Sequence, residues 1–382
     1  MTRVYLDHNA SSPLRPDARA AVLASLAEHG NASSLHAEGR AARTRIEDAR
    51  SEVGALLGVP SKQIVFTSGG SEAIAAALQG ITHRTGRAGG RIVVSSIEHS
   101  AVLEGARLAA RRRGLVLEEV PCERSGRIDA RRFSEAIGDD VAMAALQLAN
   151  NETGVVQPVE EVAETCRRHG VPFLVDAVQA AGKRTLLRAD LVAVSSHKLG
   201  GPQGVGALAI RDGVKLDPLI PGGGQELRRR GGTEAVAAIA GFGAAAAEAL
   251  RTLRDESARL EDLRARIETG ILGRFDGARI HGSDVPRLAN TVSFAIPGVP
   301  GELLAIALDL EGIAVSTGSA CASGAVEPSH VLRAMGYTEA ESKETVRVST
   351  GWSTTPDDVE RFLDVLPSVV ARLRASIPSV VA

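Results

Sequence analysis

The chain has 382 residues, of which 44% are hydrophobic, and it carries a formal net charge of −2. This near balance of charge predicts neither nucleic acid nor an anionic membrane as a partner. The apolar fraction is that of a soluble globular protein, and the length predicts two or three domains. Three widely spaced cysteines without a CxxC pair argue against a disulfide framework or a metal site built from this chain alone. They favour a reducing cytoplasm.

In chain order, residues 1–15 are predicted to be an extended arm that packs on the C-terminal domain. From about 60 to 235, short β-branched runs alternate with helical stretches. This alternation indicates an α/β fold with a mainly parallel sheet of seven strands and helices on both faces. The predicted strands are 63–67, 91–95, 115–120, 141–147, 171–175, 191–195 and 205–210, and the predicted helices are 71–85, 100–113, 130–138 and 158–169.

A long helix predicted from about 234 to 272 leads into a smaller α+β domain at the C-terminus. The large domain is predicted to span 16–250 and the small domain 251–382. The apolar stretch 235–250 contains glycine and is too short to cross a bilayer by itself. Predicted elements of the small domain are strands at 291–296, 313–316 and 345–349 and helices near 301–311, 328–335 and 356–374.

Ligands of parallel sheets bind beyond the carboxyl ends of the strands, so polar residues there are the first candidates for a site. Gly70 and Ser71 follow strand 63–67 in a glycine-rich turn, which forms either a phosphate cup or a plain helix cap. His99 follows strand 91–95 as an acid–base group, a structural residue or a cap. Asn151 follows strand 141–147, where it either binds a ligand carboxylate or makes a turn.

Two further strands end in opposite charges. Asp176 follows strand 171–175, where a buried carboxylate needs a cationic partner or a backbone cap. Lys198 follows strand 191–195, where desolvation would lower its pKa and free the amine to form a Schiff base. A lysine that reaches the surface is the alternative. Taken together, the lysine, the carboxylate, the phosphate cup and the histidine are what pyridoxal 5'-phosphate requires.

Six motifs follow one another along the chain: TSGGSEA, EHSAVLE, NNETGVVQP, VDAVQAAGK, SSHKLGGPQGVG and GSACASGAVEPSHVLRAMG. In this combination the chain resembles the cysteine desulfurases of the NifS/IscS class. The similarity extends from YLDHNASSP at 5–13 to VRVSTGWSTT at 346–355. It implies the fold type I of pyridoxal-phosphate-dependent transferases, which is aspartate-aminotransferase-like. It also implies conversion of L-cysteine to L-alanine, with sulfur supplied for iron–sulfur clusters or tRNA thiolation.

The resemblance also implies a role for each matching residue. Lys198 would hold the cofactor and later move the substrate Cα proton, and His99 would stack on the ring and transfer protons. Asp176 would pair with the ring nitrogen, and Gln179 would bond the phenolic oxygen. The phosphate contacts would be Gly70, Ser71, Ser195, His197 and, across a homodimer, Thr233 of the partner subunit. The substrate contacts would be Asn31, Asn151 and Arg347, and Asn151 would also lie near the ring oxygen of the cofactor.

Cys321 lies in the stretch STGSACASG at 316–324, where small neighbours leave a thiol accessible. The resemblance makes Cys321 the nucleophile that takes the substrate sulfur as a persulfide and passes it to an acceptor or scaffold protein. In that role it could also ligate a cluster transiently. The alternative for a free cysteine is a small buried residue, and Cys166 fits that description on its helix. The motif SACAS matches the housekeeping class of the family, which has a longer loop.

The chain departs from the family pattern at two places. The first has no predicted consequence, and the second leaves open a change in substrate or acceptor preference. His8 and Asn9 replace a commoner pair, and Trp352 stands where a basic residue is frequent, five residues after Arg347. Three other functions stay open: a selenocysteine lyase, a cysteine lyase that releases sulfide, and a non-catalytic sulfur-relay scaffold.

Overall fold

The structure is a computed structural model that describes residues 3–81, 90–185, 189–317 and 328–376. The predicted nucleophile Cys321 lies outside these ranges. The strands are β1 Val4–Tyr5, β2 Ile64–Thr67, β3 Arg91–Ser95, β4 Val116–Val120, β5 Val141–Gln147, β6 Phe173–Asp176, β7 Leu191–Ser195, β8 Gly206–Ile210, β9 Arg279–Ile280, β10 Thr291–Ala295, β11 Ile313–Ala314 and β12 Thr345–Ser349. The helices are α1 Pro16–Leu26, α2 Ala37–Leu57, α3 Gly70–Gly80, α4 Ser100–Arg113, α5 Ala130–Glu135, α6 Val159–Arg168, α7 Val236–Leu272, α8 Gly301–Leu310, α9 His330–Ala334, α10 Glu339–Lys343 and α11 Pro356–Ser376.

The predicted seven-stranded sheet is confirmed, in the order β2-β8-β7-β6-β5-β3-β4. Strand β8 is antiparallel to β2 and β7, and the other neighbouring pairs are parallel. Alternate residues of a strand enter different apolar clusters: Val93 and Val175 join one, whereas Val94 and Leu174 join the other. A sheet buried on both faces explains why its strands read as continuous apolar runs.

The parallel arrangement brings four strand ends to one edge of the sheet. Strands β3, β5, β6 and β7 are direct parallel neighbours in the sheet. Strand β4, which comes between β3 and β5 along the chain, lies at the edge beyond β3. Their last residues are Ser95, Gln147, Asp176 and Ser195. The residues that follow these ends are therefore neighbours in space although 100 positions separate Ser95 from Ser195.

The small domain contains two short sheets. Strand β10 lies between β9 and β12 in an antiparallel sheet, and β1 pairs in parallel with β11. The predicted strand 313–316 is shorter than expected: β11 ends at Ala314, and Ser316 forms an isolated bridge to Arg347. Val4 and Leu6 of the arm are buried in the same apolar cluster as β10, β12 and α11.

Helix α7 confirms the long helix predicted over 234–272 and serves both domains. Ala249 packs in the apolar core of the large domain and Leu260 in that of the small domain, so the helix passes from one core to the other between these two residues. By length and composition alone α7 could cross a membrane. Its apolar first half instead packs against α1 and α2, as expected for a core helix.

Arg15 joins the arm, the loop after Lys198 and helix α7. Its side chain is 4% exposed and binds Glu256 through two hydrogen bonds of 2.7 and 2.8 Å. The same guanidinium donates to Glu248 and to the carbonyl oxygen of Leu199. One buried cation thereby neutralises two carboxylates of α7 and fixes the chain just beyond Lys198.

We expect Arg15→Met to lower the free energy of unfolding by about 3 kcal/mol, because it leaves two largely buried carboxylates without their cation. Urea denaturation followed by circular dichroism measures the loss. Arg19→Met, on the exposed side of α1, is the matched control and should change stability by less than about 0.5 kcal/mol. Equal effects of the two substitutions would show that the Arg15 network is not stabilising.

Candidate active site

A cavity of about 350 Å³ opens at the edge of the sheet where the parallel strands end. Residues from five separate segments of the large domain line it, together with Arg347 and Ser316 of the small domain and Asn9 and Ala10 of the arm. The predicted site residues that line this cavity are Gly70, Ser71, His99, Asn151, Asp176, Gln179, Ser195, His197, Lys198 and Arg347.

Lys198 ends a short 3₁₀ turn, Ser196–Lys198, that directly follows β7. Its Nζ donates to the carbonyl oxygens of Asn9 at 2.6 Å and Ala10 at 2.9 Å. Burial and the Arg347 charge lower the pKa of Lys198 to about 8, and Asp7 and Asp176 oppose the shift. At neutral pH the neutral, nucleophilic form is therefore more abundant than for an ordinary lysine by about two orders of magnitude.

This lowered pKa predicts how the apoprotein reacts with an aldehyde. We expect the rate of covalent capture of pyridoxal phosphate by Lys198 to rise with pH and to reach half its limit near pH 8. The amine must lose its proton before it attacks, so a lower pKa moves the rise to lower pH. Stopped-flow absorbance measures the rate, and Nα-acetyllysine, with its midpoint near about pH 10.4, is the reference. A protein midpoint equal to that reference would contradict the prediction.

Asp176 is the last residue of β6, whereas the predicted strand 171–175 ended one residue before it. Its side chain is buried, and Oδ1 accepts a 2.9 Å hydrogen bond from the backbone N–H of Val178. Burial raises the pKa of Asp176, while the Val178 N–H, His99 and Lys198 act against that rise. A cation that entered the cavity would favour the ionised carboxylate, as a protonated pyridine nitrogen does.

The first turn of α3 faces the cavity with Gly70 and Ser71. Among the described residues no side chain caps this turn, so its N–H groups are available to an anion. A Cβ at position 70 would lie 2.7 Å from Cγ2 of Val178, which explains the glycine. Ser195 and His197 line the same cavity. Burial and the charges of Lys198 and Lys183 lower the pKa of His197 to about 4, so its imidazole is neutral at pH 7.

His99 is the N-cap of α4, and its Nδ1 accepts a 3.1 Å hydrogen bond from the N–H of Ala101. This bond places the proton of the neutral ring on Nε2. Desolvation by the surrounding protein lowers the pKa of His99, as do Lys198 and His330, while Asp176 opposes them. A neutral histidine with a defined tautomer can both donate and accept a proton, which general acid–base chemistry requires.

Arg347 reaches the cavity from strand β12 of the small domain, and Gln179 from the segment that follows β6. Arg347 lies in the middle of β12 and donates to the carbonyl oxygen of Asn151 at 2.9 Å. Gln179 donates through Nε2 to the carbonyl oxygen of Asn9 at 3.0 Å, and its Oε1 lies 3.4 Å from Nζ of Lys183. Burial, Lys198 and Arg347 lower the pKa of Lys183 to about 7. Three basic side chains, Lys183, Lys198 and Arg347, therefore lie near one another, and their repulsion contributes to the lowered pKa of Lys183.

Asn9 and Ala10 of the arm also line this site, which the sequence did not predict. Asn9 accepts hydrogen bonds from Lys198 and Gln179 through its carbonyl oxygen. Its side chain donates to Thr291 at 2.9 Å and accepts from Asn290 at 2.9 Å. The signal was present as the polar run DHN after a short apolar strand, but only the folded chain shows what the run contacts.

Three predicted or noted residues lie away from the cavity lining in the described part of the chain. Asn31 is exposed, and its Oδ1 accepts from the N–H of Ser33 at 2.9 Å. Thr233 is exposed on a loop before α7. Trp352 donates to the carbonyl oxygen of Pro13, and Arg15 lies 5.9 Å from its ring centre. The roles predicted for Asn31 and Thr233 stay predictions, and Cys321 lies outside the described residues.

Comparison with known proteins agrees with this geometry. The family model of class-V aminotransferases matches residues 4–362. The chain therefore belongs to the class-V aminotransferases, a family of pyridoxal-phosphate-dependent enzymes. Within it the chain groups with the cysteine desulfurases of the NifS/IscS class, as the motifs indicated.

Three of its relatives show how far the similarity extends. A cysteine desulfurase of Cereibacter sphaeroides is 42% identical over 388 residues, which covers 99% of this chain and 98% of the relative. A solved NifS-like protein superposes with a TM-score of 0.89 at 32% identity, and covers 97% of this chain and 100% of its own. A solved structure of SspA in complex with cysteine has a TM-score of 0.79 at 30% identity, over 92% and 100% of the two chains.

Proposed function

We propose that this chain is an L-cysteine desulfurase that uses pyridoxal 5'-phosphate. The observation that carries the proposal is the convergence of Lys198, Asp176 and the uncapped first turn of α3 on one cavity with Arg347. The overall change is transfer of one sulfur atom: L-cysteine and the Cys321 thiol become L-alanine and a Cys321 persulfide. The C–S bond of the substrate breaks, an S–S bond forms, and the substrate carbon takes up an electron pair and a proton.

The residues of the cavity fit the cofactor. Lys198 offers an amine for the aldehyde, Asp176 a buried carboxylate for the ring nitrogen, and the N–H groups at Gly70 and Ser71 a cup for the phosphate. Ser195 and His197 lie beside that cup. When bound, the cofactor supplies an electron sink for the substrate carbon.

The chain supplies proton transfer and orientation. Lys198, with its lowered pKa, accepts the Cα proton of the substrate once its amine is free. His99, neutral and protonated at Nε2, is the second group that moves protons in the cavity. Arg347 holds the substrate carboxylate, which fixes the Cα–H bond relative to Lys198.

The sulfur acceptor is Cys321. Described residues on both sides of its segment adjoin the cavity: Ser316 lines it, and Nε2 of His330 lies 2.9 Å from the carbonyl oxygen of Glu98, next to His99. Burial raises the pKa of Cys166 to about 12 and also raises the pKa of Cys122, so neither supplies a thiolate at neutral pH. These two observations support Cys321 over the other cysteines.

The proposal extends to partners and compartment. Thr233 is exposed and away from the cavity of its own chain, which suits a contact with the phosphate of a second copy in a homodimer. The persulfide is passed to an acceptor or scaffold protein, for iron–sulfur clusters or tRNA thiolation, and the protein works in the cytoplasm. The identity of 42% to a named cysteine desulfurase supports L-cysteine as the substrate.

The test is to incubate the purified holoenzyme with L-cysteine and dithiothreitol and to measure alanine and sulfide. A desulfurase gives the two products in equal amounts. Pyruvate and ammonia in place of alanine would indicate a lyase of another type, and turnover of selenocysteine alone would indicate a selenocysteine lyase. Absence of a visible cofactor band and of any product would indicate a non-catalytic scaffold.

A further inference from the structure

Arg347 is paired with Asp7, a residue of the N-terminal arm. Its NH2 group donates to Oδ1 of Asp7 at 2.7 Å, and its NH1 group donates to the carbonyl oxygen of Asn151 at 2.9 Å. The Arg347 side chain is only 5% exposed and that of Asp7 is 19% exposed. The pair is therefore shielded from water, where a charge-assisted hydrogen bond keeps much of its strength.

The backbone holds Asp7 in place independently of the side-chain pair. The arm runs parallel to β12 and forms a bridge between Asp7 and Ser349. The N–H of His8 donates to the carbonyl oxygen of Ser349 at 3.1 Å. The N–H of Ser349 donates to the carbonyl oxygen of Leu6 at 2.8 Å. The carboxylate therefore stands beside Arg347 before any substrate binds.

The donors of Arg347 are only partly used. A guanidinium has five N–H groups, and the two contacts to Asp7 and Asn151 engage its two terminal nitrogens. Nε is buried and has no hydrogen-bond partner among the described residues. An unpartnered buried donor on a cation at the cavity wall points to an anionic ligand.

We propose that Asp7 is a positioning residue: its carboxylate orients the Arg347 guanidinium so that the remaining N–H groups meet the α-carboxylate of the substrate. The inference rests on the proposed function only for the identity of that substrate. Asp7 contacts Arg347 and not the reacting atoms, so its main effect is on binding of the carboxylate, and its charge reaches the proton transfers only by opposing the lowered pKa of Lys198.

The test compares a ligand that has the carboxylate with one that lacks it. In the Asp7→Asn holoenzyme, we expect binding of L-cysteine to weaken about tenfold while binding of cysteamine is unchanged, because one charge-assisted hydrogen bond that orients Arg347 is lost. Both affinities are read from changes in the cofactor absorption band in a Cys321→Ser background, in which L-cysteine binds without transfer of its sulfur. In steady-state assays the Asp7→Asn variant with Cys321 intact should show about a tenfold higher KM with kcat within about twofold of wild type.

Asp309→Asn is the matched control, because Asp309 pairs with Arg3 of the same arm on the surface. It should leave both affinities unchanged. Equal weakening of L-cysteine and cysteamine in Asp7→Asn would show a general structural role and overturn the proposal, as would unchanged or tighter binding of L-cysteine. If wild-type protein makes no alanine, the proposed function fails, but the ratio of the two affinities still tests the role of Asp7.

Discussion

Lys198→Ala is expected to lower alanine formation from L-cysteine by at least about 10³-fold, because the chain loses both its covalent attachment to the cofactor and the base for the Cα proton. The amine of Lys198 lies in the cavity with its pKa lowered to about 8, whereas Lys183 bonds Gln179 and is not part of the cavity lining. The visible absorption of the holoenzyme should also change, since the remaining cofactor is held without a covalent bond.

The assay is alanine release under saturating cofactor, with the absorption spectrum recorded on the same samples. Lys62→Ala is the matched control: Lys62 is exposed on the surface, where it pairs with Asp212. It should keep full activity and an unchanged spectrum. Alanine formation by Lys198→Ala within about tenfold of wild type would rule out Lys198 as the catalytic lysine.

Cys321→Ser is expected to abolish persulfide formation and to lower alanine formation from L-cysteine by at least about 10³-fold. A hydroxyl replaces the thiolate that must attack the substrate sulfur, and serine is a much weaker nucleophile at neutral pH. The cofactor band should stay near its normal wavelength, because Lys198 and Asp176, the proposed cofactor contacts, are untouched. Mass spectrometry of the intact protein after one turnover measures the added sulfur atom.

Cys166→Ser and Cys122→Ser are the matched controls for this substitution. Burial raises the pKa of both thiols, so we expect neither substitution to change the yield of persulfide. Full alanine formation by Cys321→Ser would refute the persulfide mechanism. Selenocysteine is the informative second substrate, since its selenium can leave without help from a thiol, so activity retained there alone agrees with the proposal.

Much of the fold could be predicted from local pattern. Apart from the partly exposed edge strand β4, the strands of the central sheet are buried on both faces, so strands such as β5 and β7 are continuous apolar runs between helices. Helix α7 was also predictable from the sequence, because Ala, Leu, Arg and Glu, which favour helix, dominate a long stretch there. The strand before Asp176 and the short β11 were misjudged by one or two residues, since the ends of elements depend on hydrogen bonds to distant partners.

The candidate site was predictable where its residues follow strands. Asp176 ends an apolar strand and Lys198 and His99 follow within the next turn of theirs, and a parallel sheet brings such positions to one edge. Asp7 and Asn9 were not predictable in this way. Their partners Arg347 and Lys198 lie about 340 and 190 positions away, and no local pattern records those contacts.

The sequence by itself determined the type of fold, the cofactor class and the residues with distinctive chemistry, because burial, strand periodicity and reactive side chains leave local marks. Only the tertiary structure decided how the arm completes the site: which carbonyl groups receive the Lys198 amine and which carboxylate faces Arg347. The physical reason is that an ion pair or hydrogen bond depends on where two backbones meet. That meeting is set by the packing of β1 and β12 in the small domain and not by the residues near Asp7 in sequence.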